Sequence, residues 1–474
     1  MSSESSGTRS SERAAEASSA GPGSPETCRP VRLTGWGRTA PTVARLARPT
    51  STAELARLLA DPPPRGVIAR GLGRSYGDAA QDAGGLVLDC TGLPERITLD
   101  VERGEVTASA SVSFDRLMRT LLPRGWFVPV TPGTRHVTVG GAVAADVHGK
   151  NHHVDGSFGA ALRRVTLVLP GGTITEVGPD RDPELFWATV GGMGLTGVVL
   201  EATFRCLPVE TSRMVVDTER AANLDEALAV MADSDDRYHY TVAWIDLLAR
   251  GRAMGRAVLT RGRHARLADL PPKARRDALR FAPATRLAAP PWAPPGLLNP
   301  WSVRAFNELW YRKAPRVRRG EIQPLASFFH PLDAVRGWNR LYGPRGFVQY
   351  QFVVPAVDVL RSIVADLSSA GVASFLAVLK RFGPGNPGHL SFPMPGWTLA
   401  LDIPLGDRRL PGMLRDFDQR IAAAGGRVYL AKDATLWPDL LPAMYPRLEE
   451  WRRVRTRVDP DGVLRSDLAR RLGL

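Results

Sequence analysis

Three glycine-rich stretches stand close together in the first half of a 474-residue chain. Arg70-Gly71-Leu72-Gly73-Arg74-Ser75-Tyr76-Gly77-Asp78 comes first. Pro132-Gly133-Thr134-Arg135-His136-Val137-Thr138-Val139-Gly140-Gly141-Ala142 follows and runs on to Ala145 and Asp146-Val147-His148-Gly149-Lys150-Asn151-His152-His153. Gly191-Gly192-Met193-Gly194-Leu195-Thr196-Gly197, followed by Val198, is the third. Glycines let a backbone turn with positive φ and bring amide groups close to an anion, the geometry a pyrophosphate requires. The first stretch alone does not match the dinucleotide fingerprint, because no helix follows it and Asp78 interrupts the pattern. Taken by itself, this stretch reads as an ordinary tight turn. Three such loops within about 130 residues point instead to one extended phosphate-bearing ligand wrapped by backbone amides.

His148, Lys150, His152 and His153 form a basic cluster, but no Cys, Asp or Glu completes a metal-ligand set at a familiar spacing. The adjacent His152 and His153 read as structural or solvated. Cys28, Cys90 and Cys206 are too few and too widely spaced for a zinc site or a disulfide framework. The expectation is a reduced, metal-free protein.

The elements that must carry these loops are legible. Ser51 and Glu54 make a capping box ahead of an amphipathic run from Ala53 to Ala60, which Pro62-Pro63-Pro64 stops. Gly66 to Ala69 and Leu86 to Asp89 read as short buried strands, so the first glycine loop leaves the end of a strand. Ile97 to Asp100 with Val106 to Ala110, and Val165 to Leu169 with Thr173 to Val177, read as hairpins. Ser113 caps a helix through Leu122, and Asp182 with Pro183 starts another. Val198 to Phe204 closes this unit. From Val209 the texture changes to strands such as Thr241 to Asp246, Phe347 to Val354 and Thr398 to Ile403. The expected organisation is a disordered tail at 1–28, a first domain at 29–208, a sheet-based second domain at 209–425 with a mobile proline-rich loop at 270–301, and a segment 426–474 returning to the first domain. That last segment holds a strand candidate, Val428 to Ala431, and helical runs around Leu440 and Glu449.

Sixty-two Lys plus Arg against forty-eight Asp plus Glu leave +14, which favours anionic partners. No basic run carries the aromatic interleaving of a nucleic-acid platform, so nucleic acid is not expected as a partner. The first 26 residues lack the apolar core of a signal peptide, and no apolar stretch approaches the roughly 18 residues a spanning helix needs.

The ordered motifs G-x-G-x-S, P-G-T…T-V-G-G-A and G-x-x-G-L-T-G resemble the FAD domain of the vanillyl-alcohol oxidase and UDP-N-acetylmuramate dehydrogenase group. The resemblance is specific to the branch that oxidises decaprenylphosphoryl-β-D-ribose in actinobacterial arabinan synthesis, and it extends from Leu33 to Arg471. It implies an α+β, two-domain FAD-binding fold with a sheet-based substrate domain. It implies FAD contacts from the three loops at Arg70 to Tyr76, Gly133, Thr134, Thr138, Gly140, Gly141, Ala145, His148, Gly149, Asn151, Gly194, Gly197 and Val198, and from Tyr429. Members with covalent flavin carry histidine where this chain has Arg74, so the cofactor is expected to be non-covalent, with Arg74 on the pyrophosphate. In the second domain the resemblance picks out Trp244, Gln349, Tyr350, Gln351, Lys380, Trp397, Thr398, Asp402 and Lys432, with Lys150 as a phosphate or substrate contact. Gln349 and Gln351 alternate on one strand face and are expected to point into one pocket, with Tyr350 opposite. Some members carry a cysteine, attacked by nitroaromatic inhibitors, where Ala400 stands here.

The implied reaction is oxidation of the sugar's 2′-hydroxyl, with a pocket base taking the proton and hydride passing to flavin. Lys432 would stabilise the reduced flavin, with Tyr76 and His148 shaping the site. Read from local sequence alone, Lys432 is a surface lysine paired with Asp433. Implied partners are a polyprenylphosphoryl ribose, a quinone, a short-chain keto-reductase and the membrane surface at the cell envelope, the basic surface and the 270–301 loop meeting headgroups. A soluble aldonolactone or alditol oxidase of the same group is the alternative. A non-catalytic binding protein leaves the three loops unexplained.

Overall fold

The computed structural model of the chain describes residues 29–474 apart from 284, 286, 291–293 and 295, so the expected tail at 1–28 lies outside the described residues. Two small sheets carry the glycine loops. One has four strands in the spatial order Pro30–Leu33, Thr42–Ala47, Leu86–Asp89 and Val67–Arg70. Its last three strands are parallel, and buried aliphatic residues such as Val67, Ile68, Leu86, Val87 and Leu88 fill them. The other is an antiparallel five-stranded sheet in the order Ile97–Asp100, Glu105–Ser109, Val198–Arg205, Leu162–Val168 and Ile174–Val177. Both hairpins read from the sequence are present in it.

The helices start where their caps predict. Ser51 Oγ accepts from the Glu54 amide, Ser113 Oγ from Arg116 and an Asp182 carboxylate oxygen from Leu185. The capping box at Ser51 is only half formed, since Glu54 turns its carboxylate to the Thr50 amide and hydroxyl.

An eight-stranded antiparallel sheet forms the second body. Its spatial order is Val317–Pro324, Arg213–Ala221, Ala257–His264, Tyr240–Ile245, Ala377–Phe382, Gly396–Pro404, Phe347–Val354 and Arg427–Val428. One face is covered by helices, where Tyr350 donates to Asp418 of helix Leu410–Ala423 at 2.6 Å. The other face looks toward the glycine loops. The expected strand Val428 to Ala431 shrinks to Arg427–Val428, because the chain then turns, with the Lys432 amide donating to the Tyr429 carbonyl. The segment 270–301 is not structureless where described. It holds the short helix Pro272–Arg275, the strand Leu287–Ala288 paired with Val335–Arg336, and the start of helix Pro300–Lys313.

The C-terminal segment comes back onto the first sheet. Val67 and Arg465 exchange backbone bonds with Val463 and Val67, and Leu464 is buried beside Leu86 and Leu88. Arg471 ends this return in a clamp. Its guanidinium meets both oxygens of Asp78 at 2.8 and 3.0 Å and Asp433 Oδ2 at 2.9 Å. Asp433 is buried, so loss of the guanidinium leaves a carboxylate without its counter-charge. Arg471→Ala is expected to cost about 3–5 kcal/mol, read as a lower melting temperature and reduced FAD retention; unchanged values of both would show the clamp to be dispensable.

Candidate active site

A cavity of about 990 Å³ lies between the glycine loops and the open face of the large sheet. Its size is at the upper end for small-molecule and cofactor sites, so it has room for a long ligand. The floor is built from one face of neighbouring strands, as the two-residue side-chain period of a strand demands. Trp244, Val258, Val378, Lys380, Ala400 and Gln349 all reach it. The cross-strand register sets Gln349 opposite Asp402, Gln351 opposite Ala400, and Lys380 opposite Thr398.

The roof is the glycine cradle. In the first loop the amides of Leu72, Gly73, Arg74 and Ser75 donate to no described acceptor, which leaves successive N–H groups for an anion. A side chain at Gly133 would project into empty cavity space, with no atom within 4 Å of its Cβ. In the third loop Gly191, Met193 and Gly194 take φ of 79°, 56° and 79°. Amides of Gly191 and Met193 hold that loop to the Val143 and Ala144 carbonyls. Thr138 lines the wall while its hydroxyl caps helix Val139–Ala144 by accepting from the Gly141 amide. Free amides, an open glycine face and three converging loops fit the pyrophosphate and ring system of FAD.

Two arginines of the first loop are on the wall and also make contacts within the protein. Arg70 lines the cavity, but its guanidinium donates to the carbonyls of Ala80 and Thr34 at 2.9 and 2.7 Å, bracing the loop. Arg74 also lines the cavity, donating to the Leu72 carbonyl at 3.4 Å and stacking on Trp36, 3.9 Å from the ring centroid. Leu72, Ser75, Tyr76, Thr134, Gly140, Ala145, Gly149, Gly194, Gly197, Val198 and Tyr429 are on the wall as expected.

His148 stands at the junction of roof and floor. Its ring packs against Phe382, Phe392 and Tyr429, with Nδ1 3.1 Å from Lys380 Nζ and Nε2 3.1 Å from Gln351 Nε2. Buried Asp146, at φ 41°, holds the preceding turn by accepting from Ser157, the Gly159 amide, Asn386 and Ser391. Burial, then the charges of Lys380 and Lys432, keep the imidazole neutral far below its ordinary value. His152 and His153 diverge from it. His152 packs on Phe382, pushed down to about 3 by burial, and His153 Nε2 lies 2.8 Å from the Tyr238 carbonyl.

Four expected contacts are one layer behind the wall. Asn151 is spent on the Pro129 carbonyl and Asp155. Gln351 bridges His148 and Thr398, whose hydroxyl donates to the Phe352 carbonyl. Asp402 accepts from Gln349 at 2.5 Å and Tyr342 at 3.0 Å. The pairing expected for Gln349 and Gln351 thus resolves into one wall residue and one that orients His148. The three expected lysines do reach the wall, from three separate segments, and Lys313 lines it as well. Lys150 lies 4.3 Å from the Phe328 ring centroid and donates to the Phe328 carbonyl, and burial lowers it to about 7. Burial, then the charges of Lys432 and Lys150, hold Lys380 well below the ordinary lysine value. Lys432 is lowered to about 8 by burial, against the pull of Asp402, and lies 5.6 Å from the Tyr76 ring centroid. Its expected partner Asp433 belongs to Arg471 instead.

Several functional residues gave no sequence signal. Phe328 seats Lys150, and Asp333 fastens the second loop by accepting from Thr134 and from the Arg135 amide and guanidinium. Both come from the 317–338 region, which carries no motif.

Comparison with known proteins agrees with this geometry. A family described as FAD binding domain matches residues 43–178, and one described as D-arabinono-1,4-lactone oxidase matches residues 407–472. Decaprenylphosphoryl-beta-D-ribose oxidase of Mycolicibacterium smegmatis is 47% identical over 94% of this chain and 97% of its own length. An uncharacterized protein of Streptomyces coelicolor is 45% identical over 77% of this chain and all of its own. Alditol oxidase of a Streptomyces species is 28% identical over 37% of this chain and 42% of its own. The chain belongs to the decaprenylphosphoryl-β-D-ribose oxidase family of FAD-dependent oxidoreductases.

Proposed function

We propose that this chain oxidises the 2′-hydroxyl of decaprenylphosphoryl-β-D-ribose to the 2′-keto sugar, the first half of an epimerisation to the arabinosyl lipid used for cell-wall arabinan. The observation that carries the reading is the convergence of Lys150, Lys380 and Lys432 beside Gln349 and Trp244, a polar and cationic floor facing the FAD cradle. Bound FAD supplies the hydride acceptor. Gln349 and Trp244 hold the ribose, Lys150 and Lys380 attract the lipid phosphate, and Lys432 offsets negative charge at the reduced ring. Tyr76 and His148 shape the space between. The division at 29–208, 209–425 and 426–474 then separates a cofactor unit, a substrate unit and a segment that delivers Lys432.

A quinone suits this reading as the oxidant of reduced FAD, and a short-chain reductase as the enzyme consuming the keto sugar. No helix among the described residues is long and apolar enough to cross a membrane. A lipid-linked substrate suits a peripheral position at the membrane of the cell envelope. The match of 407–472 to a lactone oxidase keeps one rival, oxidation of a free sugar acid lactone or alditol.

Anaerobic mixing separates the two: a polyprenylphosphoryl ribose is expected to bleach the flavin absorbance, and free alditols and aldonolactones are not. Bleaching by the free sugars alone would reject the lipid substrate. Since Arg74 cannot form a histidyl linkage, acid precipitation should leave all yellow colour in the supernatant; coloured pellet would show covalent flavin.

The lowered lysines give a pH dependence. Charge leaves Lys150 as pH rises through about 7 and Lys432 through about 8, so attraction for a phosphate weakens and KM for the lipid substrate should rise severalfold across that window. The unliganded fold follows the opposite sign. Its amines titrate below the free lysine value of 10.5, the unfolded chain holds more protons between the two, and stability rises with pH there. A flat KM profile, indistinguishable from that of Lys150→Met, would remove Lys150 from phosphate binding.

A further inference from the structure

Helix Pro300–Lys313 is firmly made yet weakly covered. Asn299 accepts from the Trp301 and Ser302 amides at 2.9 and 3.0 Å, and Ser302 returns the bond by accepting from the Asn299 amide. Only Val303 and Asn307 are buried, Asn307 being anchored to Asp246 at 2.7 Å. At 3.6 residues per turn, Trp301, Ala305 and Leu309 fall on one line along the opposite side. Trp301 is 79% exposed and Leu309 67%, with Phe306 and Trp310 flanking them at 42% and 43%. Val317, at the start of the sheet's edge strand, is also exposed. Large apolar groups gathered on one exposed face mark an interaction surface.

The charge around this face selects the partner. Arg304, Lys313 and Arg316 have no carboxylate partner among the described residues, and all are exposed. The acids nearby are already neutralised: Glu308 pairs with Arg256 and Arg312, and Glu321 with Arg318. An apolar ridge with aromatic members and a basic border is the composition of a helix lying in a membrane interface, not of a groove for an acidic peptide. The position agrees. Trp310, Lys313 and Arg318 belong at once to this region and to the mouth of the active-site cavity.

We propose that helix Pro300–Lys313, together with the start of strand Val317–Pro324, docks on an anionic lipid bilayer, with Trp301 and Leu309 entering the boundary between headgroups and acyl chains. The cavity mouth then opens onto the lipid, so that a lipid-linked ligand enters without its tail crossing water. This consequence rests on the lipid-substrate reading; the docking face itself does not. The face lies just beyond the proline-rich segment that the sequence points to, on an ordered helix.

The test uses the full-length FAD-loaded protein in vesicle flotation. Wild type is expected to float with vesicles containing phosphatidylglycerol, less with pure phosphatidylcholine, and less again as salt is raised. Trp301→Ser with Leu309→Ser should lower partitioning about tenfold or more, since each residue withdraws a large buried side chain. Flavin content, melting temperature and turnover of a short-tailed phosphoribose should stay as in wild type, because neither residue lines the cavity. Equal flotation of the variant, no flotation of wild type on anionic vesicles, or a wild-type dimer that the double substitution dissociates would each overturn the proposal, the last assigning the face to a second copy of the chain. Absence of turnover with the short-tailed substrate alongside normal flotation would reject the substrate reading and leave the docking face standing.

Discussion

The active site depends on one buried ion cluster. Asp78 ends the first glycine loop, Asp433 follows Lys432, and Arg471 near the C-terminus holds both. A carboxylate as buried as Asp433 requires a counter-charge, and no other cation among the described residues is paired with it. The arginine in turn is pulled further above its ordinary pKa by the two acids, despite burial acting the other way. The seam around this cluster is tight. The Tyr76 amide donates to the Ala431 carbonyl at 3.0 Å, and a Cβ on Gly77 would collide with the Asp433 carbonyl. Gly35 and Gly37 face the same restriction against the Gly77 and Phe347 carbonyls. Three distant parts of the chain therefore reach one register, and Tyr76 and Lys432 meet because of it.

Electrostatics in the cavity follow from what the seam brings together. The amines of Lys150, Lys380 and Lys432 share the wall with Asp402 as the carboxylate behind them, and Asp402 is itself raised to about 7 by burial. Cations forced together in a low-dielectric space lower one another's proton affinity in addition to the burial cost. Burial, with the charges of Lys380 and Lys432 added to it, keeps His148 neutral, whereas burial alone brings Lys150, and burial against the pull of Asp402 brings Lys432, within reach of neutral pH. An anion in this space relieves both penalties, so ligand charge and the wall's protonation are linked.

Local features of the sequence carried over well, and nonlocal ones did not. Caps at Ser51, Ser113 and Asp182 act over three residues, and hairpins over a dozen, so they are readable from adjacent letters. The glycine loops were legible for the same reason: positive φ is a property of the residue itself. Lys432 illustrates the failure. Its neighbour Asp433 is the natural local partner, yet the fold gives that acid to a residue 38 positions later and leaves the lysine on the cavity wall. Alternation placed Gln349 and Gln351 on one face correctly, but it could not say that the cavity ends between them. Asp333 and Phe328 were silent because their roles exist only once the 317–338 region lies against the second loop.

The floor of the cavity lies on the sheet, outside the stretches that match the two family models. The region matching the FAD binding domain, 43–178, contains the first two glycine loops, and the lactone-oxidase match begins at 407. Trp244, Gln349, Lys380 and Ala400 fall between the two, on strands that neither match covers. Their side chains point to the cavity only because a strand repeats every second residue, and single substitutions on that face change the pocket without disturbing the helix-covered side. Ala400 shows how little the floor needs at one of its points. A methyl group there leaves space between Gln351 and Val378 on the flanking strands and offers no nucleophile, so the chemistry must be carried by the residues around it. The 47% relative spans these strands as well as the loops, so the likeness covers the floor and not the cofactor unit alone.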